Sequence, residues 1–185
     1  QNVPLGSVLN GSGWAVAFWG TWFGARMVYL GKLVPRSTHD DTVAAKYYGF
    51  KTTDSPLVAD TVLRIVCTVT VSGTPAIEIW VNGVQRTTTQ YLFGTVTQIR
   101  DPVGSSVRIG NVAGSAGAGL VSHYAEAAMW DHVVPEWVKV AYGKGMSPSF
   151  YRYGGTFYHP LFGVDHFTDV WHEPTATTAN NGGTS

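Results

Sequence analysis

Apolar and polar positions alternate along most of this chain, and glycine, proline, asparagine and serine break the alternation at short intervals. A period of two sends successive side chains to opposite faces, so each run predicts a strand with one buried side. Trp14-Ala15-Val16-Ala17-Phe18-Trp19 opens the series after a Gly-Ser-Gly turn. Arg26-Met27-Val28-Tyr29-Leu30 follows Gly24, and Ala44-Ala45-Lys46-Tyr47-Tyr48-Gly49-Phe50 follows a polar loop. Thr61 to Val71 is long and rich in β-branched residues, which suit a pleated, half-buried surface. A Ser72-Gly73-Thr74-Pro75 turn separates it from Ala76-Ile77-Glu78-Ile79-Trp80-Val81. Asn82-Gly83 then stands before Val84-Gln85-Arg86-Thr87, and two residues that tolerate positive φ between alternating runs predict a tight hairpin. Thr95–Ile99, Ser106–Ile109 and Ser122–Trp130 complete the set. About nine short strands joined by Gly-rich turns predict an all-β sandwich or barrel.

One helix interrupts the strands. Pro135 suits a first helical position and Gly143 suits the position just past the end. Val134 then falls at the cap, where it offers no oxygen to the free N–H groups. Glu136 near the start and Lys139 nearer the end complement the helix dipole. The helix is expected to be held by packing of Trp137 and Ala141 on the sheet rather than by its own propensity. After Met146-Ser147-Pro148 the regular period stops. The stretch from Phe150 is aromatic and carries His159, His166 and His172, half of the six histidines. It reads as an irregular arm over residues 149–185, ending in a small polar tail from Thr175 to Ser185 that frays or lies against a neighbour. No repeat of solenoid length and no linker divides the chain.

Composition narrows the picture. Charged residues make up 13% of the 185 positions, against roughly a quarter in an average domain. Aromatics also reach 13%, and twelve basic residues balance twelve acidic ones. A neutral chain without a basic stripe is unsuited to nucleic acid or an anionic membrane surface. The absence of a run of about 18 apolar residues predicts no helical membrane span. Gln1 is followed by neither a basic region nor an apolar one, so no signal peptide is expected. Cys67 is the single cysteine, which rules out an intrachain disulfide, and its place in a β-branched run predicts a small core residue.

Four pieces in order carry a resemblance. Ile77-Glu78-Ile79-Trp80-Val81-Asn82-Gly83-Val84 resembles the strand, Asn-Gly, strand hairpin of laminin-G-like, concanavalin A-like jelly-roll domains. Val107-Arg108-Ile109-Gly110-Asn111 resembles a later strand of that family, and Tyr124–Asp131 its penultimate strand, ending in an aromatic and a small polar residue. The helix from Pro135 to Tyr142, with Gly143-Lys144-Gly145-Met146-Ser147-Pro148 after it, completes the pattern over roughly residues 10 to 148, although Val134 stands where the family's Ser or Thr cap usually does. The resemblance implies a two-sheet antiparallel jelly-roll β-sandwich over residues 1–148, with the arm appended. Members bind sugars or proteins, and some hold calcium at the sandwich rim. The Gly-Met-Ser-Pro exit and the later His-Pro-Leu-Phe-Gly segment, His159 to Gly163, are most similar to phage-borne and environmental members.

Chemistry is sparse. A glycosidase needs two carboxylates flanking the scissile bond, and hydrolases of this fold carry them as Glu-x-Asp-x-x-Glu on one strand. This chain has only Glu78, Glu126, Glu136 and Glu173, and no two share a strand at that spacing. Glu78 reads as an outward-facing, solubilising residue, with Ala76 and Trp80 as its same-face neighbours. Asp165, His166, Asp169, His172 and Glu173, with His159 upstream, form the densest set of possible ligands, but their spacing matches no zinc motif. They are read as packing residues of the arm, the alternative being a metal- or pH-sensitive interface. His39-Asp40-Asp41 reads as a solvated loop, or as half of a calcium site. Gly110 to Gly119 is a flexible loop, since neither a Gly-x-Ser-x-Gly elbow nor a phosphate loop is present.

The aromatic residues are left as the candidate contacts. Trp22 and Phe23 stand between Gly20 and Gly24, and Tyr48 neighbours Tyr47 on a strand. Together with His159, His166, Trp171 and His172 they are the candidate glycan- or partner-binding residues. Low charge, the arm and the resemblance lead to the expectation of a non-enzymatic structural or decoration protein in a phage particle. Its partners would be other virion proteins or copies of itself, in an oligomer or lattice, with cell-surface glycans as a further ligand. The alternatives are a secreted carbohydrate-binding module and a glycoside hydrolase. No cofactor is expected, calcium being the one ion the resemblance admits.

Overall fold

The computed structural model describes residues 2–9, 14–21, 26–32, 48–58, 61–70, 76–92, 108–110 and 125–160. Their strands are β1 Asn2–Leu9, β2 Trp14–Thr21, β3 Arg26–Lys32, β4 Tyr48–Thr52, β5 Ile65–Thr70 and β6 Ala76–Val81. There follow β7 Val84–Arg86, β8 Thr88–Leu92, β9 Arg108–Gly110, β10 Ala127–Trp130 and β11 Gly155–His159. The helix α1 spans Glu136–Gly143, and a 3-10 turn covers Pro148–Phe150. The described chain is thus all-β with one short helix, as the alternation predicts, and every strand pair is antiparallel.

Among the described residues, three sheets are formed. The largest runs β8-β4-β3-β2-β1-β9, the second β5-β6-β7, and the third pairs β10 with β11. The register of β1 on β2 shifts between Pro4 and Gly6, directly after a proline that has no N–H to give to the ladder. On β4, Thr52 is fully buried. Its hydroxyl accepts from Val28 N at 3.3 Å and donates to Asp54 O at 3.1 Å, so a side chain satisfies backbone groups where β4 leaves the sheet.

Strand alternation assigns the core. Val28 and Leu30 of β3 pack with Ile77, Ile79 and Val81 of β6 and with Leu57, and Ile65, Cys67 and Val69 of β5 join them. The odd-numbered residues of β5 and β6 therefore face the largest sheet. The even-numbered Val66, Glu78 and Trp80 belong to the other face, which α1 covers. Cys67 packs with the core as expected, and burial pushes its thiol up to about 12.

The Asn82-Gly83 hairpin forms as predicted, with φ of 52° and 76°. Asn82 also ties β5 to the turn: its N–H donates to Arg64 O at 2.8 Å, and its side-chain oxygen accepts from Arg64 N at 2.9 Å. The helix departs from expectation in three ways. It begins one residue later, with Pro135 at the cap and no side-chain cap bond. Gly143 is its last helical residue. The left-handed residue that closes it is Gly145, φ 104°, where Met146 N donates to Ala141 O and Gly145 N to Tyr142 O, the paired bonds of a Schellman end. The packing face is also different: Val138, Lys139 and Tyr142 are buried, while Trp137 is 61% exposed. Val134, Val138 and Tyr142 pack on Val66, Trp130, Met146 and Tyr151, so the stripe lies one residue round from the one expected.

The stretch after Pro148 is not irregular throughout. Residues 155–159 form β11, which pairs with β10 from Ala127↔His159 to Trp130↔Gly155. The remainder of the expected arm, from residue 161, lies outside the described residues, as do Thr95–Ile99, Asp40-Asp41 and the Asp165–Glu173 cluster.

Candidate functional site

Two side-chain networks hold α1 and β11 in place. Lys139 is 4% exposed, and its ammonium meets Glu78 Oε2 at 2.5 Å while lying 5.2 Å from the centre of the Trp80 ring. The same oxygen accepts from Trp80 Nε1 at 3.0 Å and Thr68 Oγ1 at 3.4 Å. Partial burial pushes the Glu78 carboxyl up, but the bonds from Lys139, Trp80 and Thr68 outweigh it and hold the group below the usual carboxylate range. Glu78 is therefore engaged by three donors of the protein, although 37% of its side chain still reaches water. Alternation correctly places it beside Trp80, but the face they share is covered by α1.

The second network gathers Glu126, Ser147, Ser149 and Tyr158. Ser147 and Tyr158 hydroxyls both donate to Glu126 Oε1, at 2.5 and 2.9 Å, and Ser149 N donates to Ser147 Oγ at 3.3 Å. Ser147 thereby caps the 3-10 turn and joins it to the β10 end of the chain. Burial raises the Tyr158 phenol, and the bond to Glu126 adds to the rise.

Beyond these networks lies a row of rings, half-buried in the middle and exposed at both ends. Trp137 meets Tyr151 edge to face with centres 5.8 Å apart, Tyr151 lies 6.1 Å from His132, and His132 lies 5.3 Å from Tyr153, again edge to face. Three polar contacts fix the middle of the row. Trp130 Nε1 donates to Tyr151 O at 3.0 Å, His132 Nδ1 lies 2.9 Å from Asp131 Oδ1, and His132 Nε2 lies 3.3 Å from the Tyr151 hydroxyl. One tautomer satisfies both ring nitrogens: Nδ1–H donates to Asp131, and Nε2 accepts from Tyr151. The turn at Gly154, φ 61°, lets the elements meet, because a Cβ there would overlap His132 and Asp131 side-chain atoms. The ends of the row stay open, with Trp137 61% and Tyr153 77% exposed, and Phe150 nearby in sequence is 78% exposed.

Of the residues singled out from sequence, Tyr48 opens β4 opposite Lys32, and His159 closes β11 opposite Ala127. They belong to different sheets and do not form one site through strand pairing. Trp22, Phe23, His166, Trp171 and His172 lie outside the described residues. The row of rings was not singled out. Its signal in the sequence is Tyr151-Arg152-Tyr153-Gly154-Gly155, two tyrosines at period two running into a Gly-Gly turn, and Asp131-His132 directly after a strand-ending Trp. Among the described residues, no three His, Cys, Asp or Glu side chains are placed to share a metal ion, and no helix is long and apolar enough to cross a membrane. No family model, curated protein or solved structure matches the chain.

Proposed function

We propose that this chain is a laminin-G-like, concanavalin A-like jelly-roll domain that serves as a non-enzymatic structural or decoration protein of a phage particle, docking on the capsid or tail lattice. One observation carries the reading: several of the described charges are engaged within the chain while large apolar side chains face out. Asp54 pairs with Arg86, Glu78 with Lys139, and Asp131 with His132, while Glu126 is held by Ser147 and Tyr158. Val62, Trp137, Phe150 and Tyr153 are each more than half exposed. Exposed apolar and aromatic side chains suit a protein partner, since interface cores are enriched in aromatics and depleted in Lys, Glu and Asp. The engagement of Glu78 and Glu126 by internal donors supports a non-enzymatic role over that of a glycosidase, whose carboxylates must reach substrate.

A carbohydrate-binding module is the second reading, favoured by the ring row beside Asp131. Sedimentation velocity of the full chain, alone and mixed with phage particles from its native source, tests the first. Self-association beyond the 20.0 kDa chain, or co-sedimentation with the particles, is expected. A monomer at every concentration that stays in the supernatant contradicts it.

A further inference from the structure

We propose that the row from Trp137 through Tyr151 and His132 to Tyr153 is a binding strip for a neutral oligosaccharide. The inference rests on the second reading above, a carbohydrate-binding module, and names its ligand class and contact groups. A pyranose ring presents a flat face of C–H groups and an edge of hydroxyls, so a matching protein surface needs open ring faces next to hydrogen-bonding groups. The row has both. Trp137 and Tyr153 are exposed at its two ends, and Asp131, with a 66% exposed side chain, stands beside His132 in the middle. Asp131 uses Oδ1 for His132, and among the described residues none makes a hydrogen bond to Oδ2. That oxygen can accept from a sugar hydroxyl as a charge-assisted bond.

The strip is also held before any ligand arrives. Each ring touches the next at 5.3 to 6.1 Å between centres. His132 is fixed through both nitrogens and Tyr151 through its hydroxyl and its carbonyl, and Tyr153 meets the held His132 ring edge to face. The middle of the row then has little side-chain freedom to lose on binding, which favours affinity from a few aromatic contacts. Several rings in series suit an extended chain of sugars rather than one. The charges next to the rings in sequence are the carboxylates Asp131 and Glu136 and the guanidinium of Arg152, two negative against one positive. Anionic sugars are thereby disfavoured, which selects the neutral class.

The test uses the full chain on a printed array of neutral and acidic oligosaccharides, with Trp137→Ala, Tyr153→Ala and Asp131→Asn beside the wild type. Binding to neutral members is expected, falling at least tenfold in each alanine variant and less in Asp131→Asn, with an unchanged melting temperature in Tyr153→Ala. Gly154→Ala, which disturbs the turn without removing a ring, is expected to weaken the same glycans. No glycan bound, preference for acidic sugars, or neutral binding untouched by Trp137→Ala and Tyr153→Ala overturns the proposal. If the array is silent while Trp137→Ala abolishes co-sedimentation with phage particles, the strip is a protein contact: the glycan proposal falls and the docking reading stands.

Discussion

The Lys139 ammonium lies under α1 with Glu78 as its partner, and the two ends of that pair differ in their access to water: 5% of the lysine side chain is exposed against 37% of the glutamate's. Glu78→Ala leaves a buried ammonium unpaired and is expected to cost about 3 kcal/mol. Lys139→Met keeps the volume under the helix and leaves Glu78 able to turn to water, so its cost is expected to be about 1 kcal/mol or less. Urea unfolding of the two variants checks the asymmetry, and equal losses contradict it. The pair also sets a pH response. The folded Glu78 carboxyl lies below its ordinary 4.5, so it binds a proton less readily folded than unfolded. Its stabilisation is complete above about 4.5 and is lost as pH falls through the folded value. The stability gap between wild type and Glu78→Gln, followed by thermal melts from pH 7 to pH 3, is expected to shrink on acidification.

At the scale of elements, Gly143 shows how a correct signal can have another cause. A glycine near the end of a helical pattern reads as a left-handed stop, yet Gly143 is helical and Gly145 supplies the stop. Gly143 is needed because the helix end lies on the Asn82-Gly83 turn, where a Cβ would strike Gly83 N and Cα. Ala in place of a helical Gly normally stabilises by up to about 1 kcal/mol. Here Gly143→Ala is expected to destabilise by about 2 kcal/mol, the cost of overpacking against backbone. A chemical denaturation midpoint at or above that of wild type contradicts the contact.

The elements that were legible are those whose signal is local. Alternation located β2, β3, β5, β6 and β7, and Asn-Gly fixed the hairpin. Strand β1 was missed because Pro4 and Gly6 interrupt its alternation, and β8, Thr88-Thr89-Gln90-Tyr91-Leu92, because its polar residues show none. The buried face of α1 was misjudged by one position because Lys139 enters the core, and only its distant partner Glu78 makes that tolerable. The ring row was illegible for the same reason: Asp131-His132 and Tyr151–Tyr153 are adjacent only once β10 and β11 pair.

For the whole molecule, the pairing of β10 with β11 carries the described fold past Pro148. Ending the chain after Pro148 removes β11, the Tyr151 carbonyl that accepts from Trp130, and the Tyr158 hydroxyl that donates to Glu126. A loss of about 3 kcal/mol, or on the order of 10 °C in melting temperature, is expected. Ending it after Pro160 keeps every described element and is expected to melt higher than the chain ended after Pro148. Similar melting curves for the two truncations contradict the pairing.

The low charge has a structural counterpart at this scale: Asp54, Glu78, Glu126 and Asp131 are engaged within the chain, and the open ends of the ring row face outward. Such a surface fits a protein that works against a partner. The most direct measurement of that claim is immunogold electron microscopy of phage particles from the native source, using antibody raised against the full chain. Docking on the virion predicts gold at regular positions on the capsid or tail of intact particles. Bare particles, with the antigen confined to the particle-free fraction, contradict it.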